Sequence, residues 1–117
     1  ELLVAKIRAL LARRSQPQAV ASYAIGAYAF HPRQFKLIWQ ETEIRLTARE
    51  AELLKLLCEH HGELLPRKLA LQQIWGATDE FSRKSMDVFI YRLRKALARD
   101  PSVRIENVHG KGFILWG

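Results

Sequence analysis

The chain has 117 residues, 49% of them hydrophobic and 26% charged, a balance that excludes a disordered segment and allows one compact domain but not two. Nineteen Lys and Arg against twelve Asp and Glu leave a formal charge of +7, so the surface field draws in polyanions, nucleic acid before anionic membrane. No apolar run approaches the ~20 residues of a membrane-spanning helix, no secretory pattern opens the chain, and the lone Cys58 excludes an intrachain disulfide or a zinc framework, all of which fits a reducing cytoplasm.

The sequence starts at Glu1, without Met and in mid-helix pattern, as a piece of something longer would. Residues 1–14, ELLVAKIRALLARR, set Leu3, Ile7, Leu10 and Leu11 on one helical stripe with Lys6, Arg8, Arg13 and Arg14 on the remaining face. Such a helix packs on a preceding domain; the alternative, a membrane-surface helix, lacks an aromatic anchor in its stripe. Residues 15–22, with Ser15, Gln16 and Pro17, read as a linker, and the domain proper is expected over 23–117. From Tyr23 to Leu46 the runs YAIGAYAF, FKLIW and TEIRL, punctuated by Gly26 and His31-Pro32-Arg33, predict short antiparallel strands. Thr47-Ala48-Arg49-Glu50 is a capping box that opens a first helix, with Leu53, Leu54 and Leu57 inward and a stop at Gly62.

Pro66 can open a second helix, whose apolar side holds Leu71, Ile74 and Trp75 before Gly76 ends it. The connection 77–83 leads to a third helix over about Lys84–Arg99, with Ser82 or Ser85 as its cap. After Pro101, VRIENV and FILW flank His109-Gly110-Lys111-Gly112, which predicts a β-hairpin. The order of strands, three helices and terminal hairpin is that of an α+β winged helix-turn-helix.

At 100° per residue the third helix gathers Met86, Ile90, Leu93 and Leu97 on one arc, with Phe89 at its edge, and Lys84, Val88, Tyr91, Arg92, Lys95 and Arg99 on the opposite one. The first arc is core. The second suits the major groove, where Arg92 can pair with guanine and Val88 can touch a thymine methyl, while Lys84, Tyr91 and Lys95 have the chemistry for phosphate oxygens. Basic residues on one exposed helix are commonly only a solvated face. Here a hairpin with Asn107, His109 and Lys111 follows within the same domain, and a basic tip suits the narrow, negative minor groove.

MDVFIYRLRKAL followed by NVHGKGF resembles the effector domain of OmpR/PhoB-type response regulators, and LTAREAELLKLL and QQIWG match earlier segments of that family over roughly Tyr23–Trp116. ELLVAKIRALLARR is similar to the last helix of the receiver domain that precedes such effectors. The resemblance implies a transcription regulator switched through its receiver by a histidine kinase and acting as a dimer on direct repeats of double-stranded DNA. It implies base reading at Arg92, a thymine methyl contact at Val88, backbone contacts at Lys84 and Tyr91, and RNA polymerase contact through the 77–81 loop. For that loop the equal alternative is an ordinary solvated connection with Phe81 tucked inward. Without its receiver the fragment is expected to bind independently of phosphorylation and as a monomer. Three positions depart from the pattern: His109 stands where Arg is usual, Phe89 where several relatives have His, and Tyr91 where Arg is common.

Other constellations carry no chemistry. Cys58, His60 and His61 lie near a helix end, but adjacent His residues point apart and nothing completes four ligands. Glu41, Glu43 and Glu50 read as strand-face and capping groups, with no pairing for acid–base work, so neither an enzyme nor a cofactor is expected. Trp39, Trp75 and Trp116 read as core rather than as base-stacking platforms. The rival function from another class is a winged-helix protein-interaction module without sequence-specific DNA binding.

Overall fold

Alternating aromatic and aliphatic residues build the first layer. The computed structural model describes residues 22–117 and begins with β1 (Tyr23–Ile25), β2 (Tyr28–His31), β3 (Lys36–Trp39) and β4 (Thr42–Arg45), antiparallel and in sequential order. The expected receiver helix over 1–14 and nearly all of the linker lie outside the described residues. Phe30 pairs with Tyr23 on one side and Leu37 on the other, and Tyr28 pairs with Ile25 and Trp39, so the register puts one apolar face inward. Gly26, at φ 56°, lets the β1–β2 turn lie against the segment after the third helix, where a Cβ would stand 2.5 Å from both Asp100 Oδ2 and Val103 Cγ2.

The capping box forms as the spacing predicts: Thr47 Oγ1 accepts from the Glu50 amide at 3.2 Å and Glu50 Oε1 accepts from the Thr47 amide at 2.8 Å. It starts α1 (Ala48–Glu59), which buries Leu53, Leu54, Leu56, Leu57 and Cys58. Burial pushes the Cys58 thiol up to about 12, leaving it a small inert hydrophobe. After Gly62 the structure departs from expectation. Leu64–Pro66 form a strand, β5, whose residues pair with Ile114, Phe113 and Gly112, so Pro66 closes a strand and caps the second helix instead of lying in its first turn. Three residues are too few for periodicity to reveal, and the partner strand is almost fifty positions away. Helix α2 begins at Arg67–Ala70, continues as a π-helical turn Leu71–Trp75 and ends at Gly76, φ 71°.

The third helix, α3 (Glu80–Ala96), starts four residues before the expected Lys84 and ends short of Arg99. Its cap is Asp79, not Ser82 or Ser85: Asp79 Oδ1 accepts from the Ser82 amide at 2.9 Å, Ser82 is buried, and Ser85 Oγ is taken by Trp75 Nε1 at 3.1 Å. Hydrogen bonds from Ser82 hold the Asp79 carboxyl below the usual carboxylate range. Met86, Ile90, Leu93 and Leu97 are all buried, as their arc requires. β6 (Arg104–Val108) and β7 (Gly112–Trp116) close the chain as a hairpin in a three-stranded sheet of order β5-β7-β6. Trp116 is a second departure. The alternation that buries Phe113 and Leu115 turns it outward, 36% exposed, with its Nε1 donating to Glu106 Oε1 at 2.8 Å.

Candidate nucleic-acid interface

Helix α3 carries the candidate residues on a rigid support. Its inner arc is locked in the core, so Lys84, Val88, Tyr91, Arg92 and Lys95 share the outward side, all exposed. Val88 is 48% and Tyr91 57% exposed, far more than a helix needs to leave open if those apolar groups served the core. Lys95 Nζ stands 5.5 Å from the Tyr91 ring centroid, a cation–π contact one turn apart. Lys84 Nζ faces Glu80 Oε2 at 3.6 Å, but both side chains are about four-fifths exposed, so the pair is weak and a phosphate can replace the carboxylate. Arg99 lies beyond the helix; its amide donates to the Tyr28 hydroxyl at 3.1 Å, tying the end of α3 to the N-terminal sheet.

Phe89 sits apart from this set. It is half-buried, edge-on to Trp75 with centroids 5.8 Å apart, and the Arg92 guanidinium lies 5.2 Å over its ring. The Arg49 guanidinium stacks on Trp75 at 5.1 Å, so Arg49, Trp75, Phe89 and Arg92 form one column from α1 to the outer face of α3. Trp75 packs as expected, and the position supports Arg92 from below.

The wing is fastened to α3 by two arginines that the sequence did not single out. Arg94 donates through Nε and Nη2 to the Ile105 carbonyl at 3.1 and 2.9 Å, and Arg67 grips Asp87 of α3 while its guanidinium covers the Phe113 ring at 5.1 Å. Both look like ordinary surface cations in sequence; only the tertiary arrangement gives them partners. Gly110, at φ 74°, makes the turn, and His109 and Lys111 on either side of it are exposed, as is Asn107. Gly112 serves a different need: a Cβ there would lie 2.0 Å from the Leu65 carbonyl oxygen. The connection from α2 is shorter than expected, since Glu80 and Phe81 already belong to α3; Phe81 is 80% exposed rather than tucked inward. Among the described residues no group of His, Cys, Asp and Glu could hold a metal, and no helix is long and apolar enough to cross a membrane.

A four-stranded sheet, three helices and a wing locked to the third helix define a winged helix-turn-helix, the class of the DNA-binding domains. The chain belongs to the OmpR/PhoB-type family of effector domains of transcription regulators: the family described as "Transcriptional regulatory protein, C terminal" matches residues 41–115. It is 41% identical over 117 residues to transcriptional regulatory protein RprY of Bacteroides fragilis, covering 98% of this chain and 50% of that protein. It is 33% identical over 116 residues to response regulator ArlR of Staphylococcus aureus, covering 98% and 52%. The chain thus spans about half the length of the curated relatives it matches. Among solved structures it resembles the response regulator DrrB of Thermotoga maritima, with TM-score 0.74, 25% identity, and 93% of this chain and 50% of that one covered. It also resembles the Klebsiella pneumoniae RstA DNA-binding domain, solved in complex with the RstA box, with TM-score 0.68, 27% identity and coverage of 83% and 98%.

Proposed function

We propose that this chain is the effector part of a two-component response regulator that reads double-stranded DNA with α3 in the major groove and the 107–113 wing near the minor groove. The observation that carries the reading is the outward arc of α3, on which exposed cations and one exposed valine stand together on a helix braced from both sides. In this reading Arg92 pairs with a guanine edge, Val88 meets a thymine methyl, Lys84, Tyr91 and Lys95 bind backbone oxygens, and Asn107, His109 and Lys111 serve the wing. Phe89 acts through Arg92, holding the guanidinium in place. The longer protein acts as a cytoplasmic homodimer on direct repeats, its receiver is phosphorylated by a histidine kinase, and it has no catalytic activity of its own beyond that relay.

Duplexes selected from a random pool supply the test. Arg92→Ala should lose ~1–3 kcal/mol on the selected duplex and much less on scrambled duplex. Equal losses on both would remove Arg92 from base reading. The exposure of Phe81, beside Asp79 and Glu80, favours a second use of the same domain: a protein contact through the 77–81 loop, with RNA polymerase the expected partner.

A further inference from the structure

An open cleft of ≈ 330 Å³ lies between the start of α2, the start of α3 and the wing turn, with Arg67, Lys68, Thr78, Arg83 and Lys111 in its lining. Four of these are cations, brought together from three separate elements, and no carboxylate is among them. Arg67 is engaged by Asp87, while the Asp79 carboxylate caps α3 and attracts Arg83 without forming an ion pair within 4.0 Å. Among the described residues Lys68, Arg83 and Lys111 are in no ion pair within 4.0 Å, and all three are exposed. Like charges gathered this way repel one another and raise the local positive potential, an arrangement that a bound anion relieves.

The place of the cleft names the anion. When α3 occupies the major groove and the wing turn reaches the neighbouring minor groove, the strand that divides the two grooves has to pass between those elements. The cleft is the space between them. We infer that it holds a backbone phosphodiester of the bound duplex, gripped by Lys68 and Arg83 with Lys111 at its rim and the Thr78 hydroxyl as a further donor. This rests on the reading of α3 and the wing given above. It adds a clamp at the strand that separates the two grooves, made by residues that neither read bases nor sit on the exposed arc of α3.

The experiment measures duplex affinity against salt for the unaltered chain and for Lys68→Ala/Arg83→Gln, on both selected and scrambled duplexes. Both side chains are exposed, and melting curves of the variant verify the fold. One phosphate contact contributes about 0.9 to the slope of log affinity against log salt, so the variant should lose about that much slope and bind about eightfold more weakly at 0.1 M salt, equally on the two duplexes. A duplex series with single neutral methylphosphonates should contain one position that weakens the unaltered chain but not the variant. An unchanged slope with no such position, while Arg92→Ala still loses discrimination, would overturn the cleft and leave the reading of α3 intact. Absence of salt-sensitive duplex binding by the unaltered chain would overturn both. Inorganic phosphate that raised the melting temperature through Lys68 and Arg83, with the duplex slope unchanged, would make the cleft a site for a free anion and overturn its assignment to the duplex.

Discussion

Two glycines separate backbone freedom from backbone proximity. Helix α1 ends at Glu59 with His60 as its C-cap, short of the expected stop at Gly62. Gly62 lies in the following turn at φ 77° with nothing within 4 Å of a would-be Cβ, so Gly62→Ala meets only the left-handed penalty, about 1 kcal/mol. At Gly112 the φ is unremarkable, but the added carbon would stand 2.0 Å from the Leu65 oxygen and 3.0 Å from the Arg67 nitrogen. Those are main-chain atoms and cannot rotate away, so Gly112→Ala must part β5 from β7, at about 3 kcal/mol. Thermal melts of the two variants should rank Gly112→Ala as clearly the less stable. Equal melting temperatures would mean that the β5–β7 contact yields easily. Sequence alone shows both residues as turn glycines, because what distinguishes them is a carbonyl on a strand that lies about forty-five positions earlier.

Elements were legible where a pattern repeats within the element. The α3 core face follows from four residues at helical spacing, and the capping box names its own helix start, so Met86, Ile90, Leu93, Leu97 and Thr47 all fall where 100° geometry and cap chemistry put them. The start of α3 lies earlier than the spacing predicts because Asp79, Ser82 and Ser85 can each cap a helix, and only the burial of Ser82 and the engagement of Ser85 by Trp75 decide for Asp79. β5 was missed because its pairing is entirely non-local. The same limit hid Arg94, whose partner is the carbonyl of edge strand β6. Arg94→Ala leaves the Ile105 carbonyl without its charged donor and should lower stability by about 1.5 kcal/mol in urea titrations. It should also weaken selected and scrambled duplexes alike, since it loosens the wing without removing a base-reading group. A loss confined to the selected duplex would mean instead that Arg94 takes part in reading.

At the scale of the whole molecule, the charge of +7 attracts any duplex, yet only cations that displace condensed counterions contribute to the salt dependence of binding. Tyr91 can hold a phosphate oxygen but releases no counterion, and Lys84 has first to leave Glu80. Counting one contact each for Lys84, Lys95 and the Lys68–Arg83–Lys111 cleft, three phosphates give a slope of about −2.7, which is about a 40-fold loss of affinity between 50 and 200 mM salt. His109 stands at an exposed position of the wing turn, where the resemblance leads one to expect Arg. His109→Arg places a permanent, forked cation at that tip, and the narrow minor groove concentrates negative potential there. Its slope should steepen by up to about 0.9 relative to the unaltered chain, with the larger gain in affinity on duplexes that carry an A-tract beside the α3 site. Anisotropy titrations at four salt concentrations, with and without the A-tract, measure both effects. A variant whose slope and A-tract preference equal those of the unaltered chain would place the wing tip outside the groove and confine the interface to α3 and the cleft.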